Sequence, residues 1–169
     1  VNRHGLRIKV VEKAGRSVKS MVQRSDPFQK ERCGRESCLV CTTGGKGSCG
    51  KEGVTYSITC NNCAERDVVR VYHGETSKNA YTRGKKHLED LDRKIDASVM
   101  WRHCRLDHNS ELQDFTMSVT GLYRNDCMLR QIAEGVSQDN APEGTLINTK
   151  KEWNYIHLPR VIIDDGERD

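Results

Sequence analysis

The sequence predicts an α+β fold: a small antiparallel three-stranded sheet flanked by helices and preceded by a cysteine-rich zinc knuckle. Three observations predict it. Two strand-like runs lie close enough together to form a hairpin. Helical runs surround a further stretch of strict apolar–polar alternation. Four cysteines crowd into residues 33–49, where turn-forming Gly and Ser replace apolar core residues.

Taken in chain order, residues 1–30 read as a basic arm or linker with one short strand, Arg7 to Val11. Residues 31–52 are the knuckle. From Gly53 the pattern is that of a folded domain, expected to run to residue 160. Val54, Tyr56 and Ile58 share one face of a first strand, and Asp67 to His73 reads as its hairpin partner. Lys78 to Asp92 is helical, with Ala80, Gly84, Leu88 and Leu91 on one side. Ala97 to Leu106 is a second helix. Phe115, Met117 and Val119 alternate with Thr116, Ser118 and Thr120, the clearest strand in the chain. Asp126 caps a helix reaching Val136, with Leu129, Ile132 and Val136 as its expected buried face. A short helix is expected over residues 148–154, and an acidic tail over 161–169.

The chain has 169 residues, 35% hydrophobic and 31% charged: a lean core, but not a disordered composition. It has neither the apolar run of a membrane-spanning helix nor the leader of a secreted protein. No membrane partner is expected, and the missing initiator Met suits a segment of a longer chain. Charge is uneven. Residues 1–36 carry a net charge of +6 and the remainder −2. A basic arm on a near-neutral body suits a polyanion, although a solvated face has the same composition. Lys30, Arg32, Arg35, Lys46 and Lys51 surround the knuckle and are candidates for phosphate contact, as are Lys85 and Lys86 on the first helix.

Eight cysteines without a secretory leader favour metal over disulfides. Cys33, Cys38, Cys41 and Cys49 offer four thiolates in one loop, which suits a closed, structural zinc site. Cys60 and Cys63 need two further ligands, for which His103, Cys104 and His108 are candidates. The spacing of His103 and His108 fits zinc histidines, and a Cys2His2 site would tie the hairpin to the second helix. Cys104 reads as a buried small hydrophobe and Cys127 as an idle or buried thiol.

The remaining polar candidates are Tyr56, Tyr72, Arg83, His87, Glu134 and Asn148. Their order and spacing resemble the GIY-YIG endonuclease superfamily. Gly53-Val-Thr-Tyr56 and Tyr72-His-Gly74-Glu-Thr stand for the two halves of its motif. Arg83 and His87 stand for the Arg and following His of its helix, Glu134 for its metal-binding Glu and Asn148 for the Asn after it. A Cys pair between the motif halves and a His pair downstream are similar to the endonuclease domains of Penelope-like retroelements. The resemblance covers residues 30–160 and implies metal-dependent hydrolysis of a DNA phosphodiester. Arg83 would neutralise the transition state. Glu134 would hold Mg²⁺ or Mn²⁺. Tyr56 or His87 would be the base, Tyr72 would bond the attacking group or the phosphate, and Asn148 would position substrate or Glu134. An upstream reverse transcriptase on the same chain and a nuclear location are further implications, beside the one or two structural zinc sites that the cysteine spacing predicts. A zinc-dependent nucleic-acid-binding module without catalysis is the alternative.

Overall fold

The structure, a computed structural model, describes residues 33–148. Lys30, Arg32, the arm with its Arg7–Val11 strand, the 149–154 part of the expected last helix and the acidic tail lie outside the described residues. The element order is β1 (Glu52–Cys60), α1 (Asn61–Glu65), β2 (Val71–Asn79), α2 (Ala80–Asp92), α3 (Val99–Asp107), β3 (Phe115–Leu122) and α4 (Cys127–Asp139). The strands form one antiparallel sheet with β1 in the centre, in the order β2-β1-β3. The architecture is therefore α+β, with a Cys-rich cluster packed on it.

Register explains which side chains meet. Tyr56 lies opposite Gly74 and Val119, and Ile58 opposite Tyr72 and Met117. These residues, with Val54 and Phe115, share one pleat and are buried. Ala80, Gly84, His87 and Leu91 of α2 are buried, as are Met100, Trp101 and Cys104 of α3. Fully burying a side chain such as Ile58 or Met117 contributes about 1.5–3 kcal/mol, so this layer is the main source of cohesion. Leu39 and Val40 of the knuckle belong to the same core.

The second strand differs from expectation. It runs from Val71 to Asn79, not from Asp67 to His73. Residues 66–70 instead turn back on α1: Arg66 N–H and Val68 N–H both donate to the Cys63 carbonyl, and Asp67 has φ +58°. Val68 and Val69 are left exposed, while the polar run Gly74–Asn79 is strand because β1 pairs with it. Pairing outweighs local propensity here. The two helix starts move by two residues. Asn79 and Ser98 cap α2 and α3, their side chains accepting from Thr82 N–H and Trp101 N–H.

The last helix is turned over relative to the expectation. Asp126 does cap it, accepting from Leu129 N–H. Its buried residues, however, are Arg130, Glu134, Gly135 and Gln138, whereas Leu129, Ile132 and Val136 are each more than 40% exposed. Arg130 pairs with Glu75, which lies opposite Thr55 on the pleat facing away from Gly74. α2 and α4 thus bracket the sheet from its two faces.

Both outer edges of the sheet are occupied. Along β3, Met117 N–H donates to the Leu39 carbonyl and Val119 N–H to the Lys46 carbonyl. Along β2, residues 145–147 run parallel to Val71, which donates to Thr145 and accepts from Ile147.

Candidate metal centres and polar cluster

The first cysteine group is assembled as its spacing suggests. The thiols of Cys33, Cys38, Cys41 and Cys49 lie within 4.8 Å of one another, and Cys41 Sγ is 3.6 Å from Cys49 Sγ. A tetrahedral zinc ion with Zn–S near 2.3 Å requires sulfur–sulfur edges of about 3.8 Å, so this group could hold one. Burial raises the pKa of the Cys38 and Cys49 thiols. Cys33 is half-buried, and its thiol is lowered to about 7, chiefly by a hydrogen bond from the backbone N–H of Arg35. Metal binding would release the remaining thiol protons.

The second group is Cys60, Cys63, His103 and His108. β1 ends in Cys60, α1 carries Cys63, α3 carries His103, and His108 is the C-cap of α3. His108 Nε2 lies 3.5 Å from Cys60 Sγ, 3.3 Å from Cys63 Sγ and 3.2 Å from His103 Nε2. Cys63 Sγ lies 3.5 Å from His103 Nε2. A Cys2His2 zinc tetrahedron has S–N edges of about 3.6 Å and N–N edges of about 3.3 Å, which these distances match. His103 Nδ1 is 2.7 Å from Asp107 Oδ2, so its N–H points at a carboxylate and its Nε2 lone pair at the cluster. That carboxylate–histidine arrangement orients metal ligands. Burial pushes the Cys63 thiol up to about 11. Of the remaining cysteines, Cys104 is buried beside this group and Cys127 is exposed, and all eight are free of disulfides.

Three polar side chains meet at Tyr56. Arg83 Nε donates to Tyr56 Oη at 3.0 Å, and Tyr56 Oη lies 2.9 Å from His87 Nε2. Arg83 and His87 reach one hydroxyl because they are one helical turn apart on α2. Tyr72 completes the packing, with its ring centroid 6.1 Å from that of Tyr56 and 5.7 Å from that of His87. Gly74 makes room. A Cβ there would stand 2.6 Å from Tyr56 Oη and 2.7 Å from Tyr72 Cε1. Tyr56 is fully buried and His87 is 8% exposed. Burial, reinforced by Arg83, lowers the pKa of His87 to about 3, so the imidazole is neutral at neutral pH. Burial raises that of the Tyr56 phenol, with Tyr72 adding to the rise and Arg83 opposing it. The lowering by Arg83 is outweighed. A neutral phenol donates to the unprotonated Nε2 of His87 and accepts from Arg83.

Asn148 and Glu134 reach the sheet by other routes. The Asn148 side chain continues the pairing along the β2 edge: Oδ1 accepts from His73 N–H at 2.9 Å, and Nδ2 donates to the His73 carbonyl at 2.8 Å. It holds the strand beside Tyr72. Glu134 is 2% exposed on α4, where Gln138 Nε2 lies 3.4 Å from its Oε1. Sequence reasoning missed Arg130, Glu75 and Asp107. The i, i+4, i+8 spacing of Arg130, Glu134 and Gln138, and Asp107 four residues after His103, were the available signals.

A groove of about 450 Å³ opens beside Arg83, lined among others by Thr76, Lys78, Thr82, Lys85 and Lys86. Lys85 and Lys86 also pair with Glu89 and Asp90 one turn on. Lys46 and Lys51 are exposed, whereas the guanidinium of Arg35 sits over the ring of Tyr81, 4.2 Å from its centroid. No family model, curated protein or solved structure matches the chain.

Proposed function

We propose that this chain is a metal-dependent DNA endonuclease of the GIY-YIG type, stabilised by two zinc sites. The observation that carries the reading is the Arg83–Tyr56–His87 contact set with Tyr72 against it, at the side of a lysine-lined groove. A guanidinium at the rim of a basic groove suits a phosphodiester whose charge grows during attack. His87, neutral and accepting at Nε2, orients the Tyr56 hydroxyl in this reading, and the base is one of these two hydrogen-bonded groups. Tyr72 limits the space around the reacting group, and Asn148 keeps β2 in register beside it. Glu134 is the Mg²⁺ or Mn²⁺ ligand that the resemblance supplies, and because it is buried on α4, its carboxylate would have to open toward the groove to hold the ion. Such an ion, when bound, would polarise the phosphate and stabilise the leaving oxygen. The basic arm, a retroelement context with an upstream reverse transcriptase, and action on nuclear DNA belong to the same proposal.

Plasmid nicking by the zinc-loaded chain tests it. Wild type with Mg²⁺ or Mn²⁺ is expected to relax supercoiled DNA, EDTA to stop it, and Arg83→Ala or Glu134→Ala to slow it at least about a hundredfold while folded. The complete burial of the Tyr56 hydroxyl favours a second reading, a non-catalytic nucleic-acid-binding module in which this network is structural. Metal-independent binding without nicking, across salt and metal conditions, would select that reading.

A further inference from the structure

The knuckle touches the helix that carries Arg83 and His87 at three points. The Cys49 carbonyl accepts from Tyr81 N–H at 2.9 Å, which satisfies a first-turn donor with no partner inside the helix. The Arg35 guanidinium covers the Tyr81 ring. Leu39 presses on Gly84, where a Cβ would stand 3.2 Å from Leu39 Cβ and 3.1 Å from Met117 Sδ. On its other side the knuckle is bonded to β3 through Leu39 and Lys46. Tyr81 and Gly84 alternate along α2 with Arg83 and His87, so the knuckle sets where α2 stands over the sheet.

We propose that the cysteine knuckle braces the catalytic helix, and that Arg35 is a positioning residue acting through Tyr81, not a phosphate contact. The proposal deepens the nuclease reading and rests on it. A phosphate-binding arginine and a bracing arginine differ in what they change. The first sets DNA affinity and its salt dependence. The second sets the rate once DNA is bound, because it fixes the geometry around Tyr56.

The test is a double-mutant cycle on the full chain: Arg35→Ala, Tyr81→Leu and both together, with Lys46→Ala as an exposed basic comparison. Zinc per chain, DNA affinity at several salt concentrations, and the single-turnover nicking rate at saturating DNA are measured for each. Arg35→Ala is expected to slow nicking about two- to fivefold, the size of an exposed cation–π contact, with unchanged affinity and zinc. It should add no further loss in the Tyr81→Leu background, and Arg35→Lys should retain most of the rate. Weakened binding with a salt slope reduced by about one in both backgrounds, at an unchanged saturated rate, would overturn the proposal. If wild type does not nick at all, the nuclease reading fails separately. Thermal unfolding of the same four proteins then decides the brace: non-additive losses at Arg35 and Tyr81 support it, and additive ones overturn it.

Discussion

His87 shows how far a single residue could be read in advance. Its place one turn after Arg83 was legible, because helical spacing dictates that both reach the same point. Its protonation state was not, since that depends on the burial that packing under Tyr56 and Tyr72 creates. The consequence is measurable. A histidine near 6.5 when unfolded and about 3 when folded leaves the unfolded state binding more protons between those values. Its contribution to stability is full above pH 6.5 and is lost as pH falls toward 3. Stability should drop by about 2 kcal/mol between pH 7 and pH 5 from this residue alone. The groups facing it are Tyr56, Tyr72 and Arg83, and the charge of Asp90 opposes the shift. Thermal melts of wild type and His87→Gln over pH 5–7.5 should differ in slope, with the variant flatter. Parallel curves would show that His87 is not buried as a neutral acceptor.

Helix α4 is the element on which sequence pattern and structure part most clearly. The hydrophobic stripe Leu129, Ile132, Val136 has ordinary helical periodicity, and it faces outward. The polar row Arg130, Glu134, Gln138 faces the sheet because Glu75 offers Arg130 a partner there. Periodicity records which residues share a face, but not which face a buried ion pair will claim. Arg130→Ala should destabilise the protein by about 3 kcal/mol, since it strands Glu75 in a mostly covered position. Ile132→Lys on the exposed face should cost less than about 0.5 kcal/mol. Urea unfolding of the two variants checks the order. A costly Ile132→Lys beside a silent Arg130→Ala would mean the helix sits the other way round.

At the scale of the whole molecule, the two metal groups were the most legible feature, because zinc imposes short spacings that a chain cannot hide. The knuckle reads as a segment of its own in the sequence, and its Leu39 and Val40 belong to the common core. Nothing in the spacing of cysteines reveals what the residues between them pack against. Elemental analysis should find two zinc ions per chain, and Cys60→Ser should reduce that to one while lowering the melting temperature. Retention of two ions by Cys60→Ser would remove Cys60 from the ligand set. Because Cys60 ends β1 and His103 belongs to α3, losing this site should loosen the hairpin and α3 together.

The pairing of Leu39 and Lys46 with β3 has a consequence for self-association. An uncovered strand edge is a template for a second copy of the chain, and here the cover comes from the segment whose four cysteines could hold zinc. Withdrawing metal from the knuckle would therefore uncover β3 as an adhesive strand, before the rest of the domain has unfolded. Chelation should produce concentration-dependent light scattering, and clear solutions under chelation would show that β3 stays covered without metal.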